Sequence, residues 1–304
     1  MGGSSLAGRI IAGAFEDKFT FPITVHNDYN LPAWADSNTL LIANSYSGNT
    51  EETISSITIA QDKGIEILGI ATGGIMGDMI AQKQIKGVVL RPSTNPPKFP
   101  KSALGVSLGA LLGVVSKSGL VQFSAGDFEK MVGEIDGIRT SWLPESPKAG
   151  NTAKSTAEWL RGAVPVLFAS RPVLGGLHAG RNVINEIGRT FSAFFDLPEL
   201  NHHLVEALSY PKEAKSLMKY LLFTSTLAPD RVKVRYGVTE RLFIDQGLNI
   251  KRIELKGTSS LSQSIELAHF CGWVAYYLSL LNNEDPGPEP WIIKLKEALS
   301  QPVH

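Results

Sequence analysis

Cysteine is almost missing from this chain: Cys271 is the only one in 304 residues. No disulfide can form within the chain, and the thiol lies in the apolar run HFCGWVAYYL, where it reads as buried and inert. Neither sign of charge is in excess, since Lys and Arg total 29 and so do Asp and Glu, and no basic run stands out. Electrostatics therefore gives no reason to expect nucleic acid or an anionic membrane as a partner, which leaves small ligands and proteins. No apolar stretch reaches membrane-spanning length. ALGVSLGALLGVVSKSGLV comes nearest, but glycines, serines and Lys117 interrupt it, and it reads as a buried helix. The N-terminus lacks the basic, apolar, small-residue order of a signal peptide, so a cytoplasmic location is expected. His202 and His203 are adjacent, yet no Cys, Asp or Glu stands at a ligand spacing such as HExxH, so no metal is expected.

What is present is organised around NTLLIANSYSGNTEETI, residues 38–54. Leu40 to Ala43 form a short continuous apolar run, suited to a parallel strand covered on both faces. The run breaks into small polar residues and then starts a helix, with Thr50 or Asn49 as cap and Glu51 and Glu52 in the first turn. Ser45, Ser47 and Thr50 supply hydroxyls, Gly48 allows close backbone approach, and helix-start amides point into the same space. Such a cup fits a phosphate monoester. The plainer alternative is a tight turn and cap with no ligand.

Apolar strand candidates recur along the first half at FPITVH (21–26), TLLIAN (39–44), IEILGIA (65–71) and GVVLRP (87–92), with a helix over 102–119. The second half repeats this with VPVLFAS (164–170), KYLLFTST (219–226) and IKRIELKG (250–257), and its longest helix spans 261–281. The spacing predicts two doubly wound α/β domains with parallel sheets, 1–150 and 151–304, joined through a connector around 124–150 that carries one amphipathic helix. In such sheets ligands bind beyond the carboxyl ends of the strands, where the SYSGNT loop falls. MGGSSLAGRIIAGAF begins at a glycine-rich turn with no strand before it, so the first sheet is expected to lack its first strand and the start to be truncated.

MGGSS (1–5), SYSGNTEET (45–53), ATGG (71–74), RNVINEIGR (181–189), ELNHHLVE (199–206) and PWIIKLKEAL (290–299) follow one another as in a known family. Over nearly the whole length the chain resembles the bifunctional phosphoglucose/phosphomannose isomerases, which pair two sugar isomerase (SIS) domains. The first two motifs mark phosphosugar-binding SIS proteins in general, and the NE and ELNH pair is more specific.

The resemblance implies that Ser45, Ser47 and Thr50 hold the sugar phosphate and that Gly2, Gly3 and Ser4 line the same pocket. It implies Glu186, after Asn185, as the catalytic base, His202 as the ring-opening group and Lys296 as a further catalytic residue, with His203 and Lys294 as neighbouring alternatives. Where the family has an arginine to steady the enediolate, this chain has Lys101, a point charge without the bidentate fork. Glu289 replaces the threonine common before the proline of the last helix in dual-specificity members. The implied reaction interconverts glucose 6-phosphate and fructose 6-phosphate, extending to mannose 6-phosphate, without cofactor, in a homodimer with shared active sites. Two other readings stay open: a phosphosugar-binding SIS sensor without turnover, and an SIS isomerase of another sugar phosphate.

Overall fold

Period-two alternation explains why the apolar runs of the first half become strands with helices on both sides. In the computed structural model, which describes residues 1–93, 95 and 100–299, Ile42, Leu68 and Ile70 join one apolar cluster and Leu41, Ala43, Ile67 and Ala71 another. Successive side chains thus enter opposite faces of one sheet. The chain divides into two compact units: Met1–Ile135 with Arg171–Ala179 and Gly257–Ile265, and Asp136–Ser170 with Gly180–Lys256 and Glu266–His304.

In the first unit the chain runs through α1 (Gly2–Ala14), β1 (Leu40–Asn44), α2 (Glu51–Asp62), β2 (Glu66–Ala71), α3 (Gly74–Ala81), β3 (Lys86–Val89), α4 (Leu104–Lys117) and into α5 (Ala125–Arg139). The strands pair in parallel in the order β1-β2-β3, with Asn44 beside Ile70 and Ala71 beside Val89. One face packs on Ala7, Ile10 and Ile11 of α1 with Leu108, Leu111 and Leu112 of α4. The other packs on Ile57 and Ala60 of α2 and Met76 of α3.

The second unit contains α6 (Thr152–Leu160), β4 (Val164–Ser170), the end of α7 (Leu174–Glu186), β5 (Ala193–Leu197), α8 (Ala214–Leu217), β6 (Met218–Ser225), α9 (Asp230–Asp245), β7 (Asn249–Leu255), most of α10 (Ser260–Leu281) and α11 (Pro290–Leu299). Its parallel sheet has the order β5-β4-β6-β7. Asn151 caps α6, its Oδ1 accepting from the Lys154 amide at 2.9 Å. Val166, Phe168, Tyr220 and Leu222 pack on Tyr236 and Phe243 of α9, while Phe223 meets Phe270 of α10 at 6.1 Å between ring centroids. The fold is α/β with two parallel sheets; the inner strands bury both faces, whereas the edge strand β3 is exposed at all four residues.

Three details differ from the sequence expectation. FPITVH forms no strand: residues 22–27 are unpaired, Phe21 and Ile23 stand exposed, and Pro22 has no amide to donate to a ladder. AFFDL does form one, β5, at the edge of its sheet, where partial burial accommodates Asp196. The glycine-rich start is the first turn of α1 rather than a free turn. Among the described residues no helix is long and apolar enough to cross a membrane.

Phe243 is fully buried and meets Phe168 at 5.3 Å and Tyr220 at 4.9 Å, both edge to face. Its replacement by alanine opens a cavity between α9 and the sheet, and the expected loss is about 3–5 kcal/mol by chemical denaturation. A loss below about 1 kcal/mol would mean that the cluster contributes little.

Candidate active site

The loop after β1 is a braced cup. Its Ser45 amide donates to the Ile70 carbonyl at 3.0 Å, continuing the β1 to β2 pairing one residue past the strand. Tyr46 O then accepts from both the amide (3.0 Å) and the hydroxyl (2.6 Å) of Thr72, and Gly48 O accepts from the Met76 amide at 3.0 Å. Asn49 Oδ1 accepts from the Ile75 amide at 2.9 Å. The loop is therefore fastened along its length to the turn between β2 and α3, which the ATGG motif forms.

Gly48 is required for that approach. Its φ is +75°, and a Cβ there would stand 1.8 Å from the Gly73 carbonyl oxygen. Within the cup Ser45 is buried, and its hydroxyl shares a 2.8 Å hydrogen bond with the Thr50 hydroxyl. Ser45 Oγ also accepts from the Gly48 amide at 3.2 Å. Of the two caps the sequence offers, Thr50 rather than Asn49 is the N-cap residue of α2, but its side chain makes no capping bond. The hydroxyl turned to Ser45 leaves first-turn amides of α2 available to an anion, and the helix dipole adds to their pull. Ser47 is exposed at the rim, its Oγ accepting from the Asn49 amide at 3.3 Å.

Ser4, in the first turn of α1, reaches the same place. The Ser4 hydroxyl accepts from the Tyr46 amide at 3.0 Å, and its carbonyl accepts from Asn44 Nδ2 at 2.9 Å. The structure thus brings together Ser4, Ser45 and Thr50, with Ser47 on the rim of the same loop. Thr72 does not stand out from sequence alone, and Asn49, a candidate cap in the sequence, instead braces the loop to the start of α3. Lys101 lies in a short 3-10 turn just before α4 and is half-buried.

In the second unit Glu186 is the last residue of α7 and half-buried. The Oδ1 of Asn185, before it, accepts from both the amide and the hydroxyl of the buried Ser192, each at 2.8 Å. His202 ends the 3-10 turn Glu199–His202 and is exposed. His203 packs its ring 5.9 Å from that of Phe195. Lys296 is exposed on α11. The His202 imidazole and the Lys296 ammonium make no hydrogen bond or ion pair with another described residue. Among the described residues no three His, Cys, Asp or Glu side chains are grouped to hold a metal ion.

Known proteins resemble this chain along most of its length. Residues 149–299 match the bacterial phospho-glucose isomerase C-terminal SIS domain. A bifunctional phosphoglucose/phosphomannose isomerase of Caldicellulosiruptor bescii is 32% identical over 304 residues, covering 99% of this chain and 88% of the relative. One from Thermoplasma acidophilum is 28% identical over 306 residues, with 99% and 88% covered. Among solved structures, tagatose-6-phosphate ketose/aldose isomerase from Escherichia coli superposes with a TM-score of 0.70 at 16% identity, covering 94% of this chain and 81% of that one, a likeness of fold. With its strand-end cup built on the SYSGNT motif and a relative of that identity along nearly its whole length, the chain belongs to the bifunctional phosphoglucose/phosphomannose isomerase family.

Proposed function

We propose that this chain is an aldose–ketose isomerase that interconverts glucose 6-phosphate with fructose 6-phosphate and acts also on mannose 6-phosphate. The observation that carries this reading is the near full-length similarity to enzymes of that name, joined to a hydroxyl-lined cup at the carboxyl end of a parallel strand. Residues 1–150 and 151–304 are its two SIS domains, which the family match from residue 149 supports. The working location is the cytoplasm.

The substrate phosphate is held by Ser45, Ser47 and Thr50 with the α2 amides, and Gly3 and Ser4 close the cup. The Ser4 to Tyr46 bond supports this, since it ties the first turn of α1 to the loop. Isomerisation first opens the hemiacetal ring, for which His202 exchanges a proton with the ring oxygen near neutral pH. Glu186 then takes the proton from C2 and returns it to C1 through a cis-enediolate. The Asn185 to Ser192 hydrogen bonds support that role, because they fix the helix end on which Glu186 stands. Lys296 assists the ring-opening histidine, and Lys101 steadies the developing enediolate charge. C1 and C2 exchange oxidation states within one molecule, so the reaction is redox-neutral overall. Holding the phosphate fixes the reacting carbons against the base, which can lower the barrier by several kcal/mol.

The enzyme works as a homodimer in which His202 of one chain serves the site of the other. α11 supports an intermolecular partner: none of its residues is buried, and Trp291, Ile293, Leu295 and Leu299 stand 52–74% exposed.

The deciding experiment supplies fructose 6-phosphate and measures glucose 6-phosphate with a coupled dehydrogenase, with mannose 6-phosphate in a parallel arm. Turnover is expected with both. Tight binding without turnover would leave a sensor, and turnover only with another ketose phosphate would leave a different SIS isomerase.

Glu186→Gln is expected to lower kcat by about 10²–10⁴ with sugar-phosphate affinity retained. An activity within tenfold of the parent would remove Glu186 from proton transfer. Ser47→Ala with Thr50→Ala is expected to weaken substrate binding at least about tenfold in a folded protein, since two charge-assisted hydrogen bonds are lost. Unchanged affinity by calorimetry would take the phosphate out of the cup. Mixing Glu186→Gln with His202→Ala tests site sharing, because one site of each mixed dimer is whole and the other lacks both groups. Random exchange then restores roughly a quarter of the parental activity. Inactivity despite proven exchange would place His202 in its own chain's site.

A further inference from the structure

α9 presents an outer face that no described residue covers. Its inner face buries Tyr236, Thr239 and Phe243, while Val234, Val238 and Leu242 are 52%, 53% and 41% exposed. These three recur every fourth residue and so form one ridge. Gly237 has no side chain and leaves a shallow groove along that ridge, bordered by Val234, Val238, Arg241, Leu242 and Asp245. Arg231 lies three residues before Val234 and Asp245 three after Leu242. Both are exposed, and neither makes a hydrogen bond or ion pair with another described residue.

The stripe Arg231, Val234, Val238, Leu242, Asp245 therefore has the same spacing in either direction, with opposite charges at its two ends. We propose that it pairs with the α9 of a second copy of this chain, antiparallel, about a twofold axis at Val238. At about 100° and 1.5 Å per residue, Arg231 and Asp245 lie roughly 20° to either side of Val238 and about 10 Å above and below it. A twofold axis through Val238 brings Arg231 onto Asp245 of the second copy, twice by symmetry, and Val234 onto Leu242. Antiparallel helix dipoles favour the same orientation. The arrangement would also oppose Arg235 to Arg241, but the Arg235 guanidinium is turned to Asn201 Oδ1 at 3.2 Å, leaving Arg241 alone at the rim. A partner of unrelated sequence would need no such self-complementary stripe. Three apolar side chains from one helix fall short of the roughly 800 Å² per partner of a stable interface, so the association is weak and concentration-dependent. It stands independently of the isomerase reading.

Cysteine placement tests the register. Facing helices roughly 8–10 Å apart bring Cα atoms at the twofold axis to about 3–5 Å, and the wider part of that range lies within disulfide reach. Cys271 is fully buried and burial pushes its thiol up, so an introduced exposed cysteine is the reactive one. Under mild oxidation Val238→Cys is expected to give covalent dimer. Val234→Cys should not do so alone, but should when mixed with Leu242→Cys. Ile244→Cys, exposed on the same helix away from the ridge, is the control. Cross-linking of Val238→Cys no greater than this control, or self-linking of Val234→Cys as strong as the mixture, would overturn the proposal. Sedimentation gives a second measurement: Arg231→Asp or Asp245→Arg alone should weaken the association about tenfold, and both together should restore it to within about threefold. A double variant as weak as either single one would refute the charge pairing, even if some other protein is found to bind this face.

Discussion

The close backbone approach of Gly48 to Gly73 is the constraint on which the cup depends. Parallel pairing of β1 with β2 ends both strands at the same level, so the loops that follow them are neighbours. Neighbouring loops still have to be locked, and every bond of the lock uses main chain on at least one side: Tyr46 O to the Thr72 amide and hydroxyl, Gly48 O to the Met76 amide, and Asn49 Oδ1 to the Ile75 amide. A side chain at position 48 would collide with the Gly73 carbonyl and separate the two loops. Because the backbone carries the shape, the hydroxyls of Ser45, Ser47 and Thr50 need only line the cup.

Ser4 extends the same logic to a segment far away in sequence. Its hydroxyl satisfies the Tyr46 amide, a buried donor that would otherwise cost about 1–3 kcal/mol. Its carbonyl holds Asn44, the last residue of β1. α1 is in turn set against the sheet by Ile10 and Ile11, which pack with α4 and Ile70 in one cluster. Burial of an apolar helix face thus delivers one hydroxyl to the cup, and packing and polar chemistry meet at a single turn.

Much of this is legible in the amino-acid sequence, for identifiable reasons. Runs such as LLIAN, EILGIA and VPVLFAS are short, apolar and bounded by turn residues, so the strands are found within a residue or two of where their composition puts them. FPITVH meets the same composition test and fails because pairing also needs a neighbour, and its proline cannot donate. AFFDL escapes notice because an edge strand tolerates a charge and partial burial, which erases the apolar signal. The cup is readable because its hydroxyls are contiguous in the chain. Glu186, His202 and Lys296 are not, since they come from three separate elements, and only the family resemblance singles them out.

That difference also explains why the two halves of the proposed chemistry are fixed in different ways. The cup is a loop held between two strands, and its geometry follows from sheet register. Glu186 stands at the end of a helix, where the Ile187 and Gly188 amides both close on the Val183 carbonyl and the regular ladder stops. Asn185 adds a side-chain tie by accepting two hydrogen bonds from Ser192, which is 3% exposed and leads directly into β5. The edge strand that sequence patterning overlooks is therefore what anchors the helix end on which the proposed base depends. A glutamate in that position is set by the asparagine before it and the serine it grips, and the NE pair works as one unit only because β5 begins where it does.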